Sequence, residues 1–346
     1  MPEIRQDPLT DTSVIIAANR DDRPYEFERA VPRRVGTTCP FCLGNEDETP
    51  PELARYENGR SNGASAWSVR VVPNKYPAVR TEGGDFAANL TSCVAFPAFG
   101  KHEVIVESAQ HKICFAELTL HEARLACLAY RDRLQAARET VGIKFAHVFK
   151  NRGPAAGASL EHVHTQLIAL PSVPTRVAQM LDNFRRLFQG SDTALTKWLD
   201  LEIESDTRIV ERTDNLIAYC PYAARFPFET RISPIEGASN FLEADLPLIH
   251  EFSDLLQRTV RRIELVSGRA AYNFSLNVPP FDASISRRFS WQLELFPRIS
   301  TPAGFEWATG WFINPLSPEE SAKILRDAAI DDASARENDI SSGKTY

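Results

Sequence analysis

One pattern occurs twice along this chain of 346 residues: helix, strand, loop, strand. In its first occurrence, Thr119-Leu-His-Glu122 has the composition of a capping box, in which the threonine hydroxyl and the glutamate carboxylate satisfy each other's backbone N–H. It opens a helix that reaches to about 142, with Leu120, Leu125, Leu128 and Leu134 among its apolar positions. A strand over 143–149, a small-residue loop from Asn151 to Ser159 and a strand over 162–170 follow. In the second occurrence, a helix over 246–266 carries Ile249, Phe252, Leu256, Val260 and Ile263 on one apolar stripe. Strands over 272–278 and 291–296 come next, separated by a loop containing Val-Pro-Pro-Phe-Asp. The repetition predicts an α+β chain of two related halves with a boundary in 171–176. The polar tail from 331 lacks core-forming periodicity.

Composition excludes several classes. With 43% hydrophobic residues a sizeable core can form, yet no apolar run approaches the roughly 20 residues that span a bilayer. The opening residues lack the basic-then-apolar pattern of a signal peptide, so a cytoplasmic protein with no membrane partner is expected. A net charge of −7 argues against nucleic acid as a partner, because tracking phosphates needs a basic face. Six cysteines are too sparse for a disulfide framework at this length. Cys93, Cys114, Cys127 and Cys220 sit among apolar or aromatic neighbours, as small core hydrophobes do. Cys39 and Cys42 differ, because Cys-Pro-Phe-Cys spacing suits two thiolates on one tetrahedral metal and equally suits a redox pair. A metal would need two further ligands from elsewhere.

The segment Glu161-His-Val-His-Thr-Gln-Leu-Ile-Ala-Leu170 carries the most chemistry. Strand alternation puts His162, His164 and Gln166 on one face and Val163, Thr165 and Leu167 on the other. Three polar groups on one face are costly to bury unless they meet a ligand, a metal or solvent. The preceding loop supplies Gly153 and Gly157, which allow close backbone approach, with Asn151 and Ser159 as donors for phosphate oxygens. Together they describe a phosphate site with an imidazole aimed into it.

The stretch from Phe149 to Gln166, Phe-Lys-Asn-Arg-Gly-Pro-Ala-Ala-Gly-Ala-Ser-Leu-Glu-His-Val-His-Thr-Gln, resembles the active-site signature of the galactose-1-phosphate uridylyltransferases, the transferase branch of the histidine-triad superfamily. Asp7-Pro-Leu-Thr, Arg20-Asp-Asp-Arg-Pro24, Cys39-Pro-Phe-Cys42, Val72-Pro-Asn-Lys-Tyr-Pro77 and the run from Glu103 to His111 follow in family order. In the later part, the run from Pro221 to Thr230 and Gly304-Phe-Glu306 are also similar. The resemblance implies two histidine-triad-like halves, each an antiparallel sheet packed with helices. A catalytic, zinc-binding half would cover 1–172 and a sugar-recognition and scaffold half 173–330, with the tail at 331–346.

The resemblance also assigns roles. His164 would be the nucleophile on the α-phosphorus of a nucleoside diphosphate sugar, forming a nucleotidyl-histidine. Gln166, Ser159, Asn151 and the loop backbone at Gly157 would hold phosphate oxygens, and Arg20 and Arg23 would add cationic forks. Phe41 and Asn74 would hold the ribose and base, and Glu306 the sugar hydroxyls. Cys39, Cys42, His111 and His162 match the family's structural zinc set, one ion per chain. Relatives often carry histidines in the second half, some of them binding a second metal; here Ser290-Trp-Gln-Leu-Glu294 stands in their place, which implies no second metal. The run from Gly304 to Pro315 is closer to the phosphorylase-like members that act on ADP-glucose.

The leading reading is a nucleotidyltransferase acting between a nucleoside diphosphate hexose and a hexose 1-phosphate. The alternative is a phosphorylase using inorganic phosphate on ADP-glucose or a dinucleoside polyphosphate. A histidine-triad hydrolase would usually have a third histidine where Gln166 stands, and a non-catalytic zinc-stabilised nucleotide binder would not need His164. Relatives form homodimers that share active sites, so a homodimer is expected.

Overall fold

The capping box closes as its residues dictate. Thr119 Oγ1 accepts from the Glu122 N–H at 3.2 Å and Glu122 Oε2 accepts from the Thr119 N–H at 2.8 Å, which starts α1 (Leu120–Arg138). The helix stops short of 142 because Thr140 turns back: its Oγ1 donates to the Ala136 carbonyl, and Gly142 adopts a positive φ of 86°. The computed structural model describes residues 1–17, 38–57, 67–82, 88–90, 93–95, 97–187, 194–235, 240–281 and 290–329. The polar tail at 331–346 lies outside them.

The strands before the first helix are β1 (Glu3–Gln6), β2 (Ser13–Ile16), β3 (Ala54–Glu57), β4 (Trp67–Pro73), β5 (Ala88–Leu90), β6 (Cys93–Ala95) and β7 (Lys101–Val106). Beyond α1 come β8 (Phe145–Arg152), β9 (His164–Leu170), α2 (Thr175–Leu187) and α3 (Ala194–Ser205). The chain continues through β10 (Ile209–Arg212), β11 (Leu216–Tyr219), β12 (Thr230–Pro234), α4 (Leu246–Ser267), β13 (Tyr272–Asn277) and β14 (Gln292–Pro297). It closes with α5 (Gly304–Thr309), β15 (Phe312–Asn314) and α6 (Pro318–Asp327). The expected boundary at 171–176 falls where β9 gives way to α2.

Ten strands form one antiparallel sheet in the order β10-β11-β12-β14-β13-β8-β9-β7-β4-β3. The sequence predicts a sheet in each half. The structure instead joins strands from both sides of α2 and α3 into one, because β8 pairs with β13 in the register Asn151–Asn273 and Phe149–Ser275. Two edges that would otherwise expose unpaired backbone are thereby removed. A smaller sheet, β1-β2-β15, and the pair β5-β6 complete the strands.

Helices α1 and α4 cover one face of the large sheet. Tyr130 and Leu134 from α1, with Phe252, Leu256 and Val260 from α4, meet Val148, Leu167, Phe274, Leu276 and Leu293 in one buried cluster. Cys114, Cys127 and Cys220 are fully buried in it, as their neighbours suggest. The helix α4 is bounded as its ends dictate: Asp245 Oδ1 accepts from the Leu248 N–H at 3.0 Å and Gly268 caps it in the left-handed region. No helix among the described residues is long and apolar enough to cross a membrane.

A charged pair sits inside this core. Glu107, completely buried, accepts from the Tyr130 and Thr165 hydroxyls and from the Lys150 ammonium. Lys150 also donates to the main-chain carbonyl of His164 at 2.8 Å. A buried pair of this kind adds little by itself, but removing one partner strands the other charge. Lys150→Met should therefore cost about 3–5 kcal/mol in urea unfolding, and adding Glu107→Gln should recover part of it. A single-variant loss below about 1 kcal/mol would instead match a solvent-screened pair.

Candidate functional site

The opposite face of the sheet carries His164 and Gln166 beside a small apolar cluster of Phe41, Trp67, Val72, Val104 and Val106. Pairing continues past β7 and β9: Glu107 N–H donates to the Val163 carbonyl at 3.3 Å, and Val163 N–H to the Lys112 carbonyl at 2.7 Å. This lays the His111 loop beside His162, and the Leu43 N–H, bonded to the Ala109 carbonyl at 2.9 Å, brings in the Cys-Pro-Phe-Cys turn. The ligand atoms of Cys39, Cys42, His111 and His162 all lie within 4.8 Å of one another.

The separations fit one metal ion. Tetrahedral bonds of about 2.3 Å to sulfur and 2.0–2.1 Å to nitrogen would place sulfur and nitrogen about 3.6 Å apart. Here Cys39 Sγ is 3.4 Å and Cys42 Sγ 3.6 Å from His162 Nδ1, and Cys42 Sγ is 3.4 Å from His111 Nδ1. The His162 Nε2–H donates to the Ser108 carbonyl at 2.8 Å, which leaves the Nδ1 lone pair facing the sulfurs. Burial, with His111 and His164 close by, pushes His162 down to about 4, so it is a neutral ligand at physiological pH. Burial and the adjacent Cys39 push the Cys42 thiol up to about 11, so a bound cation would be needed to hold it as a thiolate at neutral pH. The open choice between a metal and a redox pair is thus resolved toward a group that could bind one metal ion, compatible with zinc.

His162 itself precedes β9 rather than lying in it, because its ring turns toward the thiols. His164 opens the strand. Its Nδ1–H donates to the His162 carbonyl at 2.7 Å, so Nε2 carries the free lone pair. Burial holds this imidazole below its ordinary range. The Phe41 ring packs 5.3 Å from it, centre to centre.

The loop between β8 and β9 turns at Gly153 and Gly157, with φ of 83° and 86°. A Cβ at Gly153 would come within 2.9 Å of Ala271, so both backbone conformation and space require glycine there. Asn151 is set opposite Asn273 of β13, whose Nδ2 donates to the Ala156 carbonyl at 2.9 Å and to Asn151 Oδ1 at 2.8 Å. The carbonyl admits only a donor, so Asn151 accepts through Oδ1 and its own NH2 bonds to none of the described residues. Ser159 is exposed beyond this loop.

Gln166 Oε1 lies 2.9 Å from His102 Nε2, and Asn74 Nδ2 lies 3.1 Å from the same nitrogen. Asn74 and Gln166 thus meet at His102, Phe41 packs against both His162 and His164, and Asn151 is joined to Asn273 of β13. Glu306 sits in α5 and accepts from the Ala303 N–H at 2.8 Å rather than from any of these residues. Arg20 and Arg23 lie outside the described residues. In β14, Glu294 is held by Arg225 and Arg231, which keep its carboxyl down at about 2 against the effect of burial. Sequence reasoning missed His102, Ser108, Lys150 and Asn273. Only Asn273 left a signal, the alternation of Asn273, Ser275 and Asn277 on one face of β13.

Residues 1–174 match the family described as galactose-1-phosphate uridyl transferase, N-terminal domain, and residues 124–341 match a domain of unknown function, DUF4921. The chain is 31% identical to an ADP-glucose phosphorylase from Arabidopsis thaliana over 95% of its length and 93% of the relative's. It is 27% identical to a galactose-1-phosphate uridylyltransferase from Thermotoga maritima, over 96% and 100% of the two chains. Among solved structures, an Arabidopsis thaliana ADP-glucose phosphorylase with bound ADP-glucose superposes with a TM-score of 0.81 at 30% identity, covering 95% of this chain and all of the other.

The four-ligand geometry predicts about one metal ion per chain by elemental analysis. Cys39→Ser should lower metal content and thermal midpoint together, since binding to the folded site adds to folding free energy. Full metal loss with an unchanged midpoint would mark the site as adventitious.

Proposed function

Because the chain belongs to the galactose-1-phosphate uridylyltransferase family, we propose that it is a nucleotidyltransferase that takes a nucleoside monophosphate from a nucleoside diphosphate hexose through a covalent nucleotidyl-histidine. One observation carries the reading: His164 Nδ1–H is tied to the His162 carbonyl, so Nε2 presents its lone pair beside a glycine loop. Nε2 attacks the α-phosphorus, the bond from that phosphorus to the bridging oxygen breaks, and hexose 1-phosphate leaves. An acceptor phosphate oxygen then attacks the same phosphorus, and the P–N bond breaks to free His164. The NH2 groups of Gln166 and Asn151, Ser159 and the Gly157 backbone hold the phosphate oxygens where negative charge builds. Arg20 and Arg23 add cations to them, and Phe41 and Asn74 flank the nucleoside.

Cys39, Cys42, His111 and His162 would hold one zinc ion, which when bound supplies a cross-link and not chemistry. Through His162 this cross-link stiffens the start of β9.

The first reading takes hexose 1-phosphate as the acceptor. The second takes inorganic phosphate and ADP-glucose, and the 31% identity to an ADP-glucose phosphorylase favours it. The two runs of strands, 1–172 and 173–330, would be related halves, a reading supported by strand order that is symmetric about β8 and β13. A homodimer sharing its sites is supported by the exposed Phe305, Trp307 and Trp311 around Glu306, aromatic groups of the kind enriched in interface cores.

Incubation with radiolabelled UDP-glucose and ADP-glucose, followed by a denaturing gel, tests the covalent step. Wild type should retain label from one of them and His164→Gly should retain none while keeping its folded circular dichroism. Adding galactose 1-phosphate or inorganic phosphate should discharge the label and so identify the acceptor. Wild type that binds nucleotide yet never labels would instead be a non-catalytic binder.

The shared site has its own test. Mixed His164→Gly and Glu306→Ala chains should regain activity through hybrid dimers with one intact site. A strictly monomeric mass, or no recovery after confirmed subunit exchange, would count against it.

A further inference from the structure

We propose that His102 is a positioning residue for Gln166, fixing which end of that amide faces a bound phosphate. This rests on the reading of Gln166 as a phosphate donor. A primary amide can turn over and exchange its oxygen and NH2 with almost no change in shape. The two orientations are opposite in effect beside a phosphate, since one donates a hydrogen bond and the other sets an oxygen against an anionic oxygen. A bare glutamine would occupy both. Something must select one of them.

The selection is traceable to groups whose hydrogen-bond sense is not in doubt. The Ala78 backbone N–H lies 3.1 Å from His102 Nδ1 and can only donate, so Nδ1 holds the lone pair and the ring proton sits on Nε2. Nε2–H has two neighbours. Asn74 has its Oδ1 engaged by the Tyr76 N–H at 2.8 Å, which turns its Nδ2 toward His102, and a donor cannot accept. Gln166 Oε1, at 2.9 Å, is the remaining acceptor. The backbone at Ala78 thus sets the tautomer of His102, and that tautomer sets the amide of Gln166 with its NH2 away from His102. His102 needs no contact with the nucleotide to do this. Register supports the coupling: β7 and β9 are hydrogen-bonded neighbours, with His102 opposite Ile168 and Gln166 opposite Val104, so the ring and the amide rise from the same face.

The test is a double-mutant cycle on nucleotide affinity, using the full chain and isothermal calorimetry with ADP and with UDP. His102→Ala and Gln166→Ala should each weaken binding about tenfold, in the range for losing one hydrogen bond to a charged group. The double variant should bind no more weakly than Gln166→Ala alone, because His102 acts only through the residue already removed. His102→Gln, whose amide can offer N–H at the place of Nε2–H, should recover most of the loss. A purely structural role would move none of these in the same way: losses would add, and the glutamine variant would not recover. Additive losses, or unweakened binding by His102→Ala, would overturn the role of His102 alone. Wild type that binds neither nucleotide would overturn the functional reading and leave Gln166 no phosphate to face.

Discussion

The pairing of β8 with β13 is the constraint on which the molecule depends. It fuses strands separated by more than a hundred positions into one antiparallel sheet and gives β8 a partner on each side. One neighbour is β9, which carries His164 and Gln166; the other brings Asn273 opposite Asn151. Because side chains alternate along every strand, the same pairing sorts the residues by face. Val148, Leu167, Phe274 and Leu293 go to the helices, while Asn151, Gln166 and Asn273 go to the open side. Burial of the first set against α1 and α4 stabilises the sheet, and the second set is thereby held rigid and in reach of solvent.

Two polar systems grip the start of β9 from opposite sides. On the open side, His162 is fixed at both ring nitrogens, by the Cys39 and Cys42 sulfurs and by the Ser108 carbonyl. Its own carbonyl then receives the His164 Nδ1–H. On the helix side, Lys150 reaches through the core to the His164 carbonyl while its charge is balanced by Glu107. Each buried polar group here has a partner, which is the condition for such groups to rigidify a core and not weaken it. A ring held in this way needs little reorganisation to meet a phosphorus atom.

Departures from the sequence expectations have local physical causes. The first helix ends at Arg138 because Thr140 and Gly142 turn the chain, although the apolar spacing offered no signal for that. His162 leaves the strand because a thiol cluster claims its ring, and period-two alternation takes no account of such a cluster. The antiparallel strands were legible, but their union into one sheet depends on edge-to-edge pairing at long range. His102 is the sharpest case. It stands between Lys101 and Glu103 with no motif to mark it, and its consequence for Gln166 passes through the Ala78 backbone, which no side-chain pattern records.

The sequence by itself determined the features set by neighbours along the chain: the capped starts of α1 and α4, the glycine turns at Gly153 and Gly157, and the alternation that puts His164 and Gln166 on one face. Its motifs also carried the family. The Cys-Pro-Phe-Cys spacing named only half of a ligand set, and His111 and His162 entered through resemblance rather than through spacing. Tertiary structure alone decided that these four donors converge, that Lys150 and Glu107 neutralise each other inside the core, and that the amides of Gln166 and Asn151 each have one orientation. Periodicity and capping report how a residue faces its own helix or strand. A hydrogen bond's sense depends on which donor stands opposite, and that is known only when distant strands have been brought into register.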